Sequence, residues 1–253
     1  VTQPFLYMGR IGIIGAMDEE VRLYVSALSG EHVKSVSGLI FYFGRISGAD
    51  VVVVKSGAGK VNAGLCAQAL IRDFGVPAVI FTGVAGSLNP ALKAKAIVIS
   101  VDSAQHDLDA RPLGFELGRV PFTEHRFFRA SDSLRAEAVS AARLLGLTFI
   151  EGRILTGDQF IIDHEKSEFL RKELKGDCVD MESAAVAHVC HLNNIPHLII
   201  RSISDNADNS APSDFQSFVK DASRNSFFLV KELLSKIRGL VPEGNAEGLK
   251  SIV

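Results

Sequence analysis

Several things that would mark a membrane, secreted or nucleic-acid-binding protein are missing from this sequence. No apolar stretch approaches the roughly 20 residues of a membrane span. Val1 to Arg10 has no basic start followed by a long apolar core, so it does not read as a signal peptide. The chain opens on Val1 rather than Met, which leaves a removed leader open. Neither sign of charge dominates. Lys and Arg number 27, Asp and Glu 29, and the net charge is -2, so no surface for nucleic acid or anionic membrane is expected. Cys66, Cys178 and Cys190 are too few and too scattered for a disulfide framework. Each sits among small apolar residues and reads as a buried thiol, which favours a reducing, cytoplasmic setting. There is no internal repeat, low-complexity tract or linker.

Apolar residues make up 47% of the 253, enough for one large α/β core. The expected organisation is an N-terminal extension (1–9), a single domain (10–238) and a flexible glycine- and proline-bearing tail (239–253). The most informative stretch runs from Val179 to Asp208. Asp180 and Glu182 form an acid pair ahead of a small-residue helix, Ser183 to Cys190. Pro196 stops that helix, since it has no N–H and disfavours the α region before it. His197-Leu198-Ile199-Ile200 is a continuous apolar run that suits a parallel strand buried on both faces. Polarity then changes at Arg201-Ser202-Ile203-Ser204-Asp205. Ligands in open α/β sheets bind just beyond strand carboxyl ends, so chemistry is sought there.

Other strands end similarly. Arg10 to Ala16 reads as a strand with a glycine turn, and Met17-Asp18-Glu19-Glu20 opens a helix. Acids in a first turn favour the helix dipole, and one of the three is free to face a pocket. Leu39 to Arg45 and Val51 to Lys55 read as strands, and Val61 to Asp73 as a helix. Ser56-Gly57-Ala58-Gly59-Lys60 is not a phosphate loop: Val54 stands where the first glycine is needed and Val61 where Ser or Thr is needed. Pro77 to Phe81 is a buried strand ending in Thr82-Gly83-Val84-Ala85-Gly86, and Ala96 to Val101 another. From Asp102 to Arg126 the chain reads as irregular, and loops of that length are usually functional or interfacial. His106, Asp107 and Asp109 within it lack a recognised ligand spacing, and His188 and Cys190 lie two apart on a helix, so no metal is expected. Ser131 to Leu145 reads as a helix and Phe149 to Thr156 as a strand ending at Gly157-Asp158-Gln159-Phe160. His164 to Leu174 and Ser213 to Arg238 read as helices, the last with Phe215, Phe218, Phe227, Phe228 and Leu229 available for burial.

Glu20, Glu182 and Asp205 thus come from three distant places, with Arg201 near the last. Clustered acids are costly unless each has a partner or a task. Three carboxylates and one arginine suit a cationic, sugar-like transition state: one acid protonates a leaving group, one activates water and one binds sugar hydroxyls.

Six segments carry a resemblance: IGIIGAMDEEV (Ile11 to Val21), KSGAGKVNA (Lys55 to Ala63), TGVAG (Thr82 to Gly86), TGDQFI (Thr156 to Ile161), VDMESAAVAHVC (Val179 to Cys190) and RSISDNAD (Arg201 to Asp208). In this order and spacing they resemble 5′-methylthioadenosine/S-adenosylhomocysteine nucleosidase, of the purine nucleoside phosphorylase/hydrolase superfamily. The resemblance covers Arg10 to Arg238. It implies a three-layer α/β/α sandwich with a central mixed sheet, no cofactor, and a homodimer. It implies that Asp205 protonates N7 of adenine, that Ser204 orients it and that Glu20 activates water, with Arg201 on the water side. Met181 and Glu182 line the ribose, Gly86 belongs to the same site, Phe160 stacks on adenine, and the backbone of Ile161 reads its edge. Phe215 closes the pocket. Leu113 and Pro121, in loop 102–126, reach the 5′ pocket of the neighbouring subunit. Two positions depart from the pattern. Val84 replaces a usual Ser beside the water, and Ala58 replaces a larger aliphatic near the 5′ end. Three rival readings remain: a phosphorylase on the same fold, a hydrolase for another 5′-modified purine nucleoside such as aminodeoxyfutalosine or 5′-deoxyadenosine, and a nucleoside-binding protein.

Overall fold

Ile11, Ile13 and Ile14 are all but fully buried, and a strand apolar on both sides needs a layer of structure over each face. The computed structural model, which describes residues 9–208 and 211–237, supplies both layers. In chain order β1 (Ile11–Gly15) leads to α1 (Asp18–Ala27), then to a meander of β2 (Ser29–Val36), β3 (Leu39–Ile46) and β4 (Ala49–Lys55). There follow α2 (Lys60–Phe74), β5 (Val79–Ser87), β6 (Ile97–Gln105), a 3-10 turn at Arg111–Leu113, β7 (Phe128–Arg129) and α3 (Asp132–Leu144). The chain continues through β8 (Phe149–Thr156), α4 (His164–Leu174), β9 (Cys178–Asp180), α5 (Ser183–Leu192), β10 (His197–Asp205) and α6 (Ala211–Ile237).

β1 lies parallel between β4 and β5, and β5 lies parallel to β10. Alternate residues part to opposite faces, as strand geometry requires. Ile11, Ile13, Val51, Val53, Ile80 and Ile200 pack with Tyr24, Leu134 and Leu233 under α1, α3 and α6. Ile14, Val52, Val54, Phe81 and Ile199 pack with Cys66, Leu70, Val186 and Cys190 under α2 and α5. The result is a three-layer α/β/α sandwich around a mixed sheet.

One end of the sheet closes on itself. β10 pairs antiparallel with β6, β6 parallel with β8, β8 parallel with β9, and β9 returns antiparallel to β5. This ring explains where the structure departs from the sequence reading. β10 continues through Arg201 to Asp205, and all nine of its residues are buried. Its polar half is strand rather than loop because its backbone stays paired, with β5 as far as Asp205 and with β6 as far as Ser202. β6 likewise runs past Val101 to Gln105, so the irregular stretch starts later than expected. β2, not foreseen, is an almost wholly exposed edge strand without an apolar alternation. α6 begins at Ala211, not Ser213. Within it Phe227 and Leu229 are buried, whereas Phe228 is 41% exposed. Arg238, the tail, and residues 1–8 of the extension lie outside the described residues. Among the described residues no helix is long and apolar enough to cross a membrane.

Candidate active site

A cavity of about 210 Å³ sits at the carboxyl ends of β1, β5 and β10. Four carboxylates line it: Glu20, Asp180, Glu182 and Asp205. Of the three acids that open α1, Asp18 is exposed and paired with Lys55, Glu19 is half-buried, and Glu20 turns inward. Glu20 Oε2 accepts from the backbone N–H of Ala16 (2.6 Å) and Met17 (3.0 Å), and Oε1 from that of Val84 (2.9 Å). Burial pushes this carboxyl above its ordinary range, while Arg201 and the three N–H donors pull against that rise. Val84, which departs from the family pattern, lines the cavity, and its backbone N–H donates to Glu20.

Arg201 stands behind the cavity wall, fully buried, with its guanidinium 4.0 Å from the ring centre of Phe81. Its Nε donates to Asp180 Oδ2 at 2.7 Å and to Ser183 Oγ at 3.1 Å. Neither Nη1 nor Nη2 has an acceptor among the described residues. A Cβ at Gly83 would collide with both Glu20 Oε1 and Arg201 Nη1, so only glycine lets these two groups approach. Asp180 is the residue the sequence reading left without a task. It also takes hydrogen bonds from Thr156 Oγ1 (2.6 Å), from Ser183 Oγ and from the backbone of Glu182 and Ser183. The signal available in sequence was the acid pair Asp180 and Glu182 just ahead of the small-residue helix α5.

Glu182 occupies the N-cap of α5, and its Oε1 accepts from Gly59 N at 2.8 Å. Burial, and then the neighbouring Asp180 charge, push its carboxyl up to about 7. Asp205 ends β10 just past a bulge in its pairing with β5, a device that re-aims a side chain. Ser204 Oγ donates to Asp205 Oδ2 at 2.8 Å, and Ala207 N to Oδ1 at 2.9 Å. Opposite, a Cβ at Gly86 would come within 2.7 Å of Asp205 Oδ1. Phe160, half exposed, meets Phe215 edge-on at 6.0 Å, and both line the cavity with Ile161, Met181 and Ala58. Ile161 is anchored by packing with Leu155, Leu170 and Leu174.

Of the residues singled out from sequence, the cavity thus gathers Glu20, Gly86, Phe160, Ile161, Met181, Glu182, Ser204, Asp205 and Phe215. Arg201 backs it. Leu113 and Pro121 do not line it; Leu113 is 70% exposed and Pro121 half-buried. The acids once weighed as metal ligands have other partners, Asp107 with Lys60 and Asp109 with Arg111. A larger groove of about 890 Å³ runs along α4. Its Arg171 and Lys172 pair with Asp177 and Glu168, and it holds none of the four carboxylates.

A family model for the phosphorylase superfamily matches residues 10–235, which is the class that this sheet and cavity define. The 5′-methylthioadenosine/S-adenosylhomocysteine nucleosidase of Shewanella denitrificans is 38% identical over 229 residues, 90% of this chain and 100% of its own. The crystal structure of the nucleosidase of that name from Neisseria meningitidis, in complex with methylthio-immucillin-A, matches with a TM-score of 0.87 at 35% identity, covering 90% of this chain and 100% of that one. The futalosine hydrolase of Helicobacter pylori matches with a TM-score of 0.86 at 35% identity, covering 90% of this chain and 98% of that one. The chain belongs to the 5′-methylthioadenosine/S-adenosylhomocysteine nucleosidase family of the phosphorylase superfamily.

Proposed function

We propose that this chain is an N-glycosidic hydrolase that cleaves 5′-methylthioadenosine and S-adenosylhomocysteine, releasing adenine and the 5-thioribose product. The observation that carries the hydrolytic reading is the environment of Glu20. The N–H groups of Ala16, Met17 and Val84 all donate to its carboxylate. A phosphate would meet a carboxylate there and find those donors occupied, whereas a water meets an acceptor. Hydrolysis is therefore favoured over phosphorolysis.

Asp205, held by Ser204, protonates N7. The electron pair of the breaking C1′–N9 bond passes to the purine, which leaves as neutral adenine. The sugar becomes oxocarbenium-like, and carboxylates around it stabilise that charge. Glu182 accepts from the ribose hydroxyls and Met181 lines the same wall. Water attacks C1′ and gives a proton to Glu20, with Arg201 behind the water side. Phe160 stacks on adenine, the backbone of Ile161 reads its edge, Gly86 leaves room for Asp205, and Phe215 closes over the pocket. The nucleosidase unit spans 10–238. It forms a homodimer in which Leu113 and Pro121 complete the neighbour's 5′ pocket, and it works in the cytoplasm, where its three buried free thiols stay reduced.

A second reading, a hydrolase with another 5′ substituent, draws support from the likeness to the H. pylori futalosine hydrolase and from Ala58, a small residue in the cavity wall. The test is adenine release from methylthioadenosine with and without phosphate. Release without phosphate and free methylthioribose are expected. Strict phosphate dependence with methylthioribose 1-phosphate would overturn the role of Glu20, and faster release from aminodeoxyfutalosine would favour the second reading.

A further inference from the structure

The N-terminus of α2 ties two walls of the site together through residues that do not themselves line the cavity. α2 starts at Lys60 with no side-chain cap of its own, and its N-cap Gly59 has a φ of 93°. The first N–H groups of a helix lack internal partners and favour negative charge. Two carboxylates from distant segments answer here. Gly59 N donates to Glu182 Oε1 at 2.8 Å, and Lys60 N donates to Asp158 Oδ1 at 2.8 Å. Asp158 N in turn donates to Asp107 Oδ2 at 2.9 Å, and Asp107 Oδ1 accepts from Lys60 Nζ at 2.6 Å. Lys60, Asp158 and Asp107 therefore form a closed ring of three contacts, each residue holding both of the others.

Gln105 braces that ring, accepting from Lys60 Nζ at 3.2 Å. The Lys60 and Asp107 side chains are 20% and 19% exposed, so solvent screens this pair less than an open surface pair. Gly157, just before Asp158, lies against the His106 ring so closely that a Cβ would not fit, which fixes the seat of the loop. Asp158 precedes Phe160 by two residues and Ile161 by three. Gly59, next to Lys60, holds Glu182. The ring thus links the aromatic wall to the acid across the cavity.

We propose that Lys60, Asp107 and Asp158 are positioning residues that set the separation between Phe160–Ile161 and Glu182. This rests on the hydrolase reading above, in which the first pair takes the purine and Glu182 the ribose. A displacement of about 1 Å at such a site costs up to about 100-fold in rate.

The test compares Asp107→Asn, which keeps size but loses charge and an acceptor, with Asp107→Glu, which keeps both acceptors, and with Lys60→Met. Measured are kcat and KM for methylthioadenosine, the dissociation constant of adenine by calorimetry, and Tm. In Asp107→Asn and Lys60→Met, KM and the adenine constant should rise together by about tenfold or more, with a smaller change in kcat. Asp107→Glu should recover part of the loss. The double variant should be little worse than either single one, because both break the same ring. A lowered Tm with KM and the adenine constant unchanged would mean a merely structural clasp and would overturn the inference. Should Asp107→Asn not fold, Lys60→Met carries the same test. Failure of the wild-type protein to release adenine would instead sink the hydrolase reading, while adenine binding would still judge the ring.

Discussion

Within the cavity each acid is set apart by what holds it. Ser204 Oγ and the Ala207 N–H donate to Asp205, three backbone N–H groups donate to Glu20, which faces Arg201, and the Gly59 N–H donates to Glu182, which has a like charge next to it. On the proposed mechanism, replacing Asp205 by Asn removes the source of the N7 proton while keeping shape. Adenine release should fall by about 100-fold or more with Tm nearly unchanged; normal turnover would refute the acid assignment. Glu182 makes a pH statement. Its carboxyl is raised from the ordinary 4.5 to about 7, so between those values the folded protein holds a proton that the unfolded chain releases. Its contribution to stability is full below about 4.5 and is lost as pH rises through about 7. Urea unfolding of wild type and Glu182→Gln across this range should show the wild type losing stability relative to the variant as pH rises. Parallel curves would contradict the raised value. Helix chemistry alone does not say which acid of the Asp18-Glu19-Glu20 run faces inward, because all three suit a helix's first turn; the family resemblance is what singles out Glu20. Packing of α1 on the sheet decides it, through Val21 and Tyr24.

At the scale of elements, β10 is where sequence and structure part. Its apolar half was readable as a buried strand, but its polar half depends on ring closure, and closure rests on β9, only three residues long. A three-residue strand has no periodicity to detect, and β2 has no apolar face to detect. The helices were legible because apolar spacing and end signals are local, such as the Ser131 cap that starts α3 and Pro196 after α5. Inside the ring the Arg201–Asp180 pair is held by geometry that sequence spacing does not reveal. Arg201→Met should leave Asp180 buried without its cation. The expected loss is roughly 3 to 5 kcal/mol, toward the lower end because Thr156, Ser183 and two N–H groups still hold the carboxylate. Denaturant unfolding measures it, and an unchanged midpoint would show that the pair contributes little.

Over the whole molecule the loop after β6 presents large apolar side chains to solvent: Leu113 is 70% and Phe122 86% exposed. On the proposed homodimer these meet the partner. Sedimentation of the wild type should give a dimer, and Leu113→Glu combined with Phe122→Glu should give a monomer whose kcat/KM for methylthioadenosine is lower by about tenfold. A monomeric wild type, or a dimeric and fully active double variant, would remove the loop from the partner's site. The most direct test of the central claim is turnover of methylthioadenosine in ¹⁸O-labelled water, with mass analysis of the sugar. Attack by water activated at Glu20 predicts one labelled oxygen at C1 of free methylthioribose and unlabelled adenine. A sugar 1-phosphate without label would mean that phosphate is the nucleophile and that Glu20 has been given the wrong part.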